Sequence, residues 1–117
     1  MKQALILFAH GSRDAQWAQP FEALRAALAP HCDVELAYLE LMAPTLEEAV
    51  ARLAARGARR VRVVPVFLGQ GAHLKRDLPA LAAAAGARHP GLQIALEPAI
   101  GERPEVIAAL AAAIGRG

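Results

Sequence analysis

Two of the four histidines in this 117-residue chain stand beside glycines, in settings suited to holding a ligand. His10 opens the run His10-Gly11-Ser12-Arg13-Asp14, and His73 closes Gly69-Gln70-Gly71-Ala72-His73. An imidazole binds a divalent transition metal or takes up a proton near neutral pH. Glu40 adds a carboxylate, and two histidines with one carboxylate leave coordination positions open for exchange. The three residues come from different segments, so no short metal-binding motif joins them. The plain alternatives are loop histidines satisfied by backbone bonds and a glutamate that orients its own loop. Arg13, Lys75, Arg76 and Arg103 could surround an acidic ligand. Arg13 and Arg103 suit bidentate pairing with carboxylates, whereas Lys75 acts as a point charge. Solvated loop charges are the ordinary counter-reading for all four.

Other chemistries find less support. Ser12 lies near His10 and Asp14, but sequence neighbours do not make a nucleophilic triad, and the Gly-x-Ser-x-Gly elbow is absent. Gly69-Gln70-Gly71 lacks the spacing of a dinucleotide fingerprint, and no P-loop lysine motif occurs. The single cysteine, Cys32, excludes an intrachain disulfide framework or a cysteine-rich zinc site. Asp77 reads as a helix N-cap. Trp17 covers the cleft, meets a neighbouring subunit or simply packs.

These residues are positioned by four strand-helix units. Ala4 to Ala9 is a continuous apolar run, as expected of a strand covered on both faces. After a loop from His10 to about Gln19, Pro20 suits a first helical turn. Phe21, Leu24 and Leu28 follow at helical spacing, and Pro30 ends the helix. Val34 to Leu39 reads as the second strand. Thr45 and Glu48 form a capping-box signature ahead of a stripe of Leu46, Val50 and Leu53, with Gly57 as C-cap. The third strand is Val61 to Phe67, with Pro65 marking irregularity near its end. A third helix begins near Asp77 or Leu78 and stops by Gly86. Gln93 to Glu97 is a short fourth strand. Pro104 opens the last helix, in which Val106, Ile107, Leu110 and Ile114 share a face.

Strands alternating with such helices imply a parallel sheet with right-handed crossovers, a three-layer α/β domain of four strands. In that architecture the loop after each strand projects at one carboxyl edge, where ligands bind. His10, Ser12, Arg13, Glu40, Gly69, Gly71, His73, Lys75, Arg76, Glu97, Glu102 and Arg103 all map to that edge. His31 and His89 map to the opposite one. The strand order is not readable from the residues.

Composition narrows the setting. The length fits one domain over residues 1–117. Thirteen basic and eleven acidic residues give a net charge of +2, and no basic run suggests a nucleic-acid surface. Arg59, Arg60 and Arg62 form the nearest thing to a patch and read as a solvated strand edge. No apolar stretch reaches membrane-spanning length without charge or proline. The N-terminus reads as a first strand rather than a signal peptide, and a cytoplasmic protein is expected.

At these residues the chain resembles the small, single-domain sirohydrochlorin chelatases of the anaerobic cobaltochelatase type. His10-Gly11-Ser12-Arg13 after the first strand matches the family's opening motif, and Tyr38-Leu39-Glu40 with Pro44 matches its second segment. The most distinctive match is Val64-Pro65-Val66-Phe67-Leu68-Gly69-Gln70-Gly71-Ala72-His73, followed by Asp77-Leu78-Pro79. The resemblance implies a chelatase half-domain, with two copies facing one another across a cleft for the macrocycle. It implies His10 and His73 as catalytic histidines that also bind the metal, and Glu40 as an accessory metal ligand. Ser12, Arg13, Gly69, Gly71, Lys75, Arg76 and Arg103 would bind the substrate. The implied reaction inserts a divalent ion, cobalt in cobalamin synthesis, into sirohydrochlorin with release of two protons. Iron in siroheme synthesis and nickel are the chemical rivals, and a non-catalytic tetrapyrrole or metal carrier would use the same histidines. No organic cofactor is expected, and neither nucleic acid nor membrane is expected as a partner. A homodimer is, because a broad, flat tetrapyrrole needs a second wall that one sheet edge does not supply.

Overall fold

A computed structural model describes residues 3–116. Four parallel strands, β1 (Gln3–Ala9), β2 (Cys32–Tyr38), β3 (Arg60–Pro65) and β4 (Gln93–Leu96), form one sheet in the order β2-β1-β3-β4. Four helices accompany them: α1 (Gln19–Leu28), α2 (Leu46–Ala55), α3 (Ala72–Ala87) and α4 (Pro104–Gly115). This is the expected four-stranded α/β architecture, and every strand lies within two residues of its expected bounds.

The two central strands carry the core because both their faces are covered. Ala4, Ile6, Phe8, Val61 and Val63 point to one face, where Leu46, Ala49, Val50 and Leu53 of α2 and Leu78, Ala82 and Ala85 of α3 meet them. Leu5, Leu7, Ala9, Val34, Leu36, Tyr38 and Val64 point to the other face, against Trp17, Phe21 and Leu28. Pro65 is the last residue of β3, paired in register with Phe8. Val66 donates to the Phe8 carbonyl at 2.8 Å. Because N–H directions alternate along a strand, the missing donor of Pro65 faces β4 just beyond that strand's last residue, where it costs no regular ladder bond.

The ends of α2 follow the expected local chemistry. The Thr45 hydroxyl accepts from the Glu48 N–H at 3.2 Å, and the Glu48 carboxylate accepts from the Thr45 N–H at 2.8 Å. At the other end Gly57 adopts φ +94°. Its N–H reaches the Ala54 carbonyl at 3.0 Å, and the Ala58 N–H reaches that of Leu53 at 3.1 Å, which closes a Schellman turn.

Two expectations need correction, and two features go beyond the sequence reading. The third helix starts at Ala72, about five residues earlier than its apolar pattern suggests, and runs through Pro79. Asp77 is therefore inside the helix rather than its N-cap, and Gly71 occupies the cap position. The stretch Lys75-Arg76-Asp77 hid this start because exposed first turns carry no apolar periodicity. The long first loop contains a 3-10 turn at Ala15–Ala18, capped by the Asp14 carboxylate, which accepts from the Gln16 N–H at 2.9 Å. Finally, the apolar face of the last helix is not buried: none of α4 is, and its main contacts are with the 3-10 turn Ile100–Glu102 that precedes it.

Candidate functional site

The parallel order brings the ends of β1, β2 and β3 side by side, and with them the first candidate residues. His10 directly follows β1, and its ring lies tilted against Phe67 with centroids 4.5 Å apart. Phe67 itself is buried against Phe8, so the imidazole rests on the core while remaining exposed. No hydrogen bond engages the His10 ring among the described residues, which leaves its nitrogens available to a ligand.

The loops after β1 and β2 are locked together. The Glu40 N–H donates to the His10 carbonyl at 3.1 Å, and the Leu39 N–H to that of Ala9 at 2.9 Å. Gly11 makes this possible: it has φ +99°, and a Cβ built there would lie 1.9 Å from the Glu40 carbonyl oxygen. Glycine alone permits both the conformation and the approach. A second glycine acts similarly on the loop after β3. A Cβ at Gly101 would lie 2.2 Å from the Leu68 carbonyl oxygen, and the Gly101 N–H bonds the Phe67 carbonyl at 2.9 Å. The backbones at Glu40 and Leu68 are thus held while the side chains of Leu39, Leu41 and Leu68 remain exposed at this edge. Leu41 also sits at φ +68°, an uncommon conformation for a branched side chain. Leu41, Gly101 and the exposure of Leu39 and Leu68 escaped the sequence reading, because apolar exposure and close backbone approach leave no periodic signal.

His73 is the second residue of α3. The Arg76 Nη2 lies 2.8 Å from His73 Nδ1. A guanidinium only donates, so Nδ1 is the acceptor in this contact. The basic lone pair of His73 is therefore covered by Arg76, and capturing a metal ion or a proton there requires that side chain to swing aside. Arg76 is well exposed and unbranched enough to do so, held otherwise, among the described residues, by a 3.8 Å pair with Asp77. Among the described residues, no group of three or more His, Cys, Asp or Glu side chains is gathered for a metal ion. His10, His73 and Glu40 share the sheet edge without forming a ready three-ligand cage within one chain.

The remaining candidates divide by whether they already have partners. The Ser12 hydroxyl accepts from the Asp14 N–H at 3.1 Å. Arg103 pairs with Glu97, which also takes a two-point bond from Arg62, at 3.0 Å for Nη2. Hydrogen bonding by Arg62, with Arg103 nearby, holds the Glu97 carboxyl below the usual glutamate range although partial burial opposes this. Arg13 and Lys75 are exposed and make no side-chain pair among the described residues. Gly69 and Gly71 are exposed, with nothing near a built Cβ. Trp17 is half-buried and packs on Phe21 and Tyr38, with centroids at 4.6 and 6.1 Å, against the core on that face of the sheet.

The opposite edge offers a concavity of about 770 Å³ lined by Gln3, Cys32, Asp33, Arg56, Arg59 and Arg60 among others. Arg56 is engaged there by Asp33 at 2.8 Å and Glu35 at 2.9 Å, and Arg62 by Glu97. It carries no histidine or glycine-rich loop; it runs from the amino ends of β1, β2 and β3 up to Arg62 and Glu97.

The fold is a parallel α/β unit with His10 directly after β1 and His73 in the first turn of α3, both at the carboxyl edge of the sheet. The chain belongs to the CbiX family, whose model matches residues 4–116. It is 34% identical over 113 residues to the sirohydrochlorin ferrochelatase of Bacillus subtilis, covering 94% of this chain and 43% of that protein. It is 40% identical over 79 residues to the sirohydrochlorin cobaltochelatase of Methanopyrus kandleri, covering 65% of this chain and 55% of that one. The chain thus spans about half the length of the curated relatives it matches. Among solved structures, the cobalamin-biosynthesis CbiX protein of Marinobacter aquaeolei superposes with a TM-score of 0.87 at 36% identity, covering 97% of this chain and 95% of that one. The sirohydrochlorin chelatase SirB of Bacillus subtilis subspecies spizizenii, solved with cobalt, superposes at 0.83 and 33% identity over 99% of this chain and 51% of its own.

Proposed function

We propose that this protein inserts a divalent metal ion into sirohydrochlorin, releasing the two pyrrole protons, and that it does so as a homodimer in the cytoplasm. The observation that carries the reading is the meeting of the His10 and His73 loops at one carboxyl edge in a CbiX-family chain. Metal insertion needs a ligand that delivers the ion and a base that takes the protons, and imidazole serves either need. His10, seated on Phe67 with both nitrogens available, is suited to meet the macrocycle or the ion directly. The His73 Nδ1 is uncovered only when Arg76 moves away, and a substrate carboxylate is a natural destination for that guanidinium. Arg13 and Lys75 are placed to receive other carboxylates, with Ser12, Gly69, Gly71 and Arg103 lining the same edge. Glu40 would assist as a metal ligand once the macrocycle or a second chain completes the set.

Cobalt is the metal this reading favours. Iron is the second reading, supported by the ferrochelatase name of the Bacillus subtilis relative and by a SirB structure described with Fe³⁺. The homodimer rests on the single-walled edge and on the Marinobacter relative, a chain of nearly the same extent rather than a double-length one.

The test follows sirohydrochlorin absorption anaerobically with Co²⁺, Fe²⁺ or Ni²⁺, comparing the wild type with a His10→Ala/His73→Ala double variant. Multiple turnovers lost in the variant establish the chelatase, and relative rates rank the metals. Macrocycle binding without acceleration by any ion would instead identify a carrier.

A further inference from the structure

The two histidines of the carboxyl edge are not equally open to an ion. His10 is exposed, and no hydrogen bond engages its ring among the described residues. His73 is exposed too, yet its Nδ1 accepts from the Arg76 guanidinium at 2.8 Å. The two side chains belong to the first turns of α3, where residues three apart are neighbours on the helix surface. A neutral imidazole has one accepting nitrogen, so an ion and Arg76 compete for it. The cover is easily displaced. The Arg76 side chain is 69% exposed, and its other partner among the described residues, Asp77, stands at 3.8 Å. Most of its donors stay open, and a carboxylate holds a guanidinium more strongly than a neutral ring does. Without His73 the edge offers an ion His10 and Glu40, and no three such ligands are gathered among the described residues. Arg13 and Lys75, exposed and without a side-chain pair among the described residues, add positive charge that opposes a bare cation.

We infer that Arg76 imposes an order on the site: a carboxylate of the macrocycle draws the guanidinium off His73, and only then does the metal ion find its second histidine. The inference rests on the chelatase reading above and adds to it how the site avoids loading with a free ion. One movement accomplishes two things. It ties a peripheral carboxylate to α3, and it turns His73 from a capped side chain into a ligand beside the bound macrocycle. The order also suits the chemistry. An ion gripped tightly before the macrocycle arrives must break those bonds during insertion, and such ground-state binding does not speed the reaction. A histidine freed by the macrocycle itself captures the ion where the acceptor nitrogens already wait. His73 and Arg76 thus act as a unit, the arginine positioning the histidine's availability rather than touching the ion.

The experiment is calorimetric titration of the full chain with Co²⁺ in the absence of macrocycle, with circular dichroism to confirm folding. Four proteins are compared: the wild type, Arg76→Met, His73→Ala and the Arg76→Met/His73→Ala pair. Methionine keeps an unbranched, helix-compatible side chain and removes every donor. The expected result is Co²⁺ bound about tenfold more tightly by Arg76→Met than by the wild type, with the gain absent when residue 73 is alanine. Metallation kinetics give the second reading. The KM for sirohydrochlorin should rise in Arg76→Met, while the KM for Co²⁺ at saturating sirohydrochlorin should match the wild type, because the macrocycle has already removed the cover there. Equal Co²⁺ affinities in the free wild type and Arg76→Met overturn the inference and leave the chelatase reading standing. So does a gain of the same size without His73, which would report only the lost positive charge. A gap in KM for Co²⁺ that persists at saturating sirohydrochlorin overturns the macrocycle as the agent that moves Arg76. A wild type that metallates sirohydrochlorin with no ion at all overturns the chelatase reading itself.

Discussion

Replacing Gly11 by alanine isolates the contact that ties the His10 loop to the Glu40 loop. The residue sits at φ +99°, and a methyl group there would lie 1.9 Å from the Glu40 carbonyl oxygen and 3.0 Å from its carbon. Restoring an ordinary contact of 3.4 Å requires the two loops to part by about 1.5 Å. Backbone strain of this kind costs about 1–3 kcal/mol. The separation also stretches the Glu40-to-His10 hydrogen bond, 3.1 Å in the native fold, and losing it adds about 1 kcal/mol. A destabilisation of about 2–4 kcal/mol follows, which lowers the melting temperature by on the order of 10 °C in a domain of this size. The larger effect falls on chemistry, since a displacement of about 1 Å at a reacting group costs about a hundredfold in rate. The assay pairs thermal unfolding with sirohydrochlorin metallation at a temperature where the variant is fully folded. In the unfolding measurement, Gly69→Ala, where nothing stands within 4 Å of the added methyl, controls for the loss of a loop glycine. A Gly11→Ala protein with native melting temperature and native rate would refute the claim that this close approach organises the site.

Two further outcomes test the electrostatics and the local folding. Arg62 holds the Glu97 carboxyl below its ordinary value, so the folded state binds that proton less readily than the unfolded chain. The stability from this group is present above the unfolded glutamate value of about 4.3 and is lost as pH falls through the lower folded value. In urea titrations, the wild type should therefore exceed Glu97→Gln in stability at pH 7, and the gap should close as the buffer is taken below about pH 4. A gap independent of pH would sink this account. Thr45→Ala removes one half of the capping box at α2 and should cost about 1 kcal/mol of stability in the same urea titrations. An unfolding free energy unchanged from the wild type would contradict that role of the cap.

Much of this protein is written locally. The apolar run Ala4–Ala9, the Thr45–Glu48 box and Gly57 each act through neighbours within a few residues, so the strand and both ends of α2 were legible before any fold was known. The alternation of strands and helices then sufficed to gather His10, Glu40 and the Gly69–His73 loop at one edge, because parallel strands all end on the same side. What lay beyond local reading depended on contacts between distant segments. The order β2-β1-β3-β4 comes from how the two faces pack, and the start of α3 at Ala72 has no apolar period to announce it. The closeness of Gly11 to Glu40 and of Gly101 to Leu68, and the pairing of Arg103 with Glu97, exist only once β1, β2, β3 and β4 lie side by side. The apolar face of α4 reads in sequence like any buried helix. Only the tertiary structure shows it standing uncovered, because burial is a property of the surroundings and those surroundings are absent from the chain's own fold.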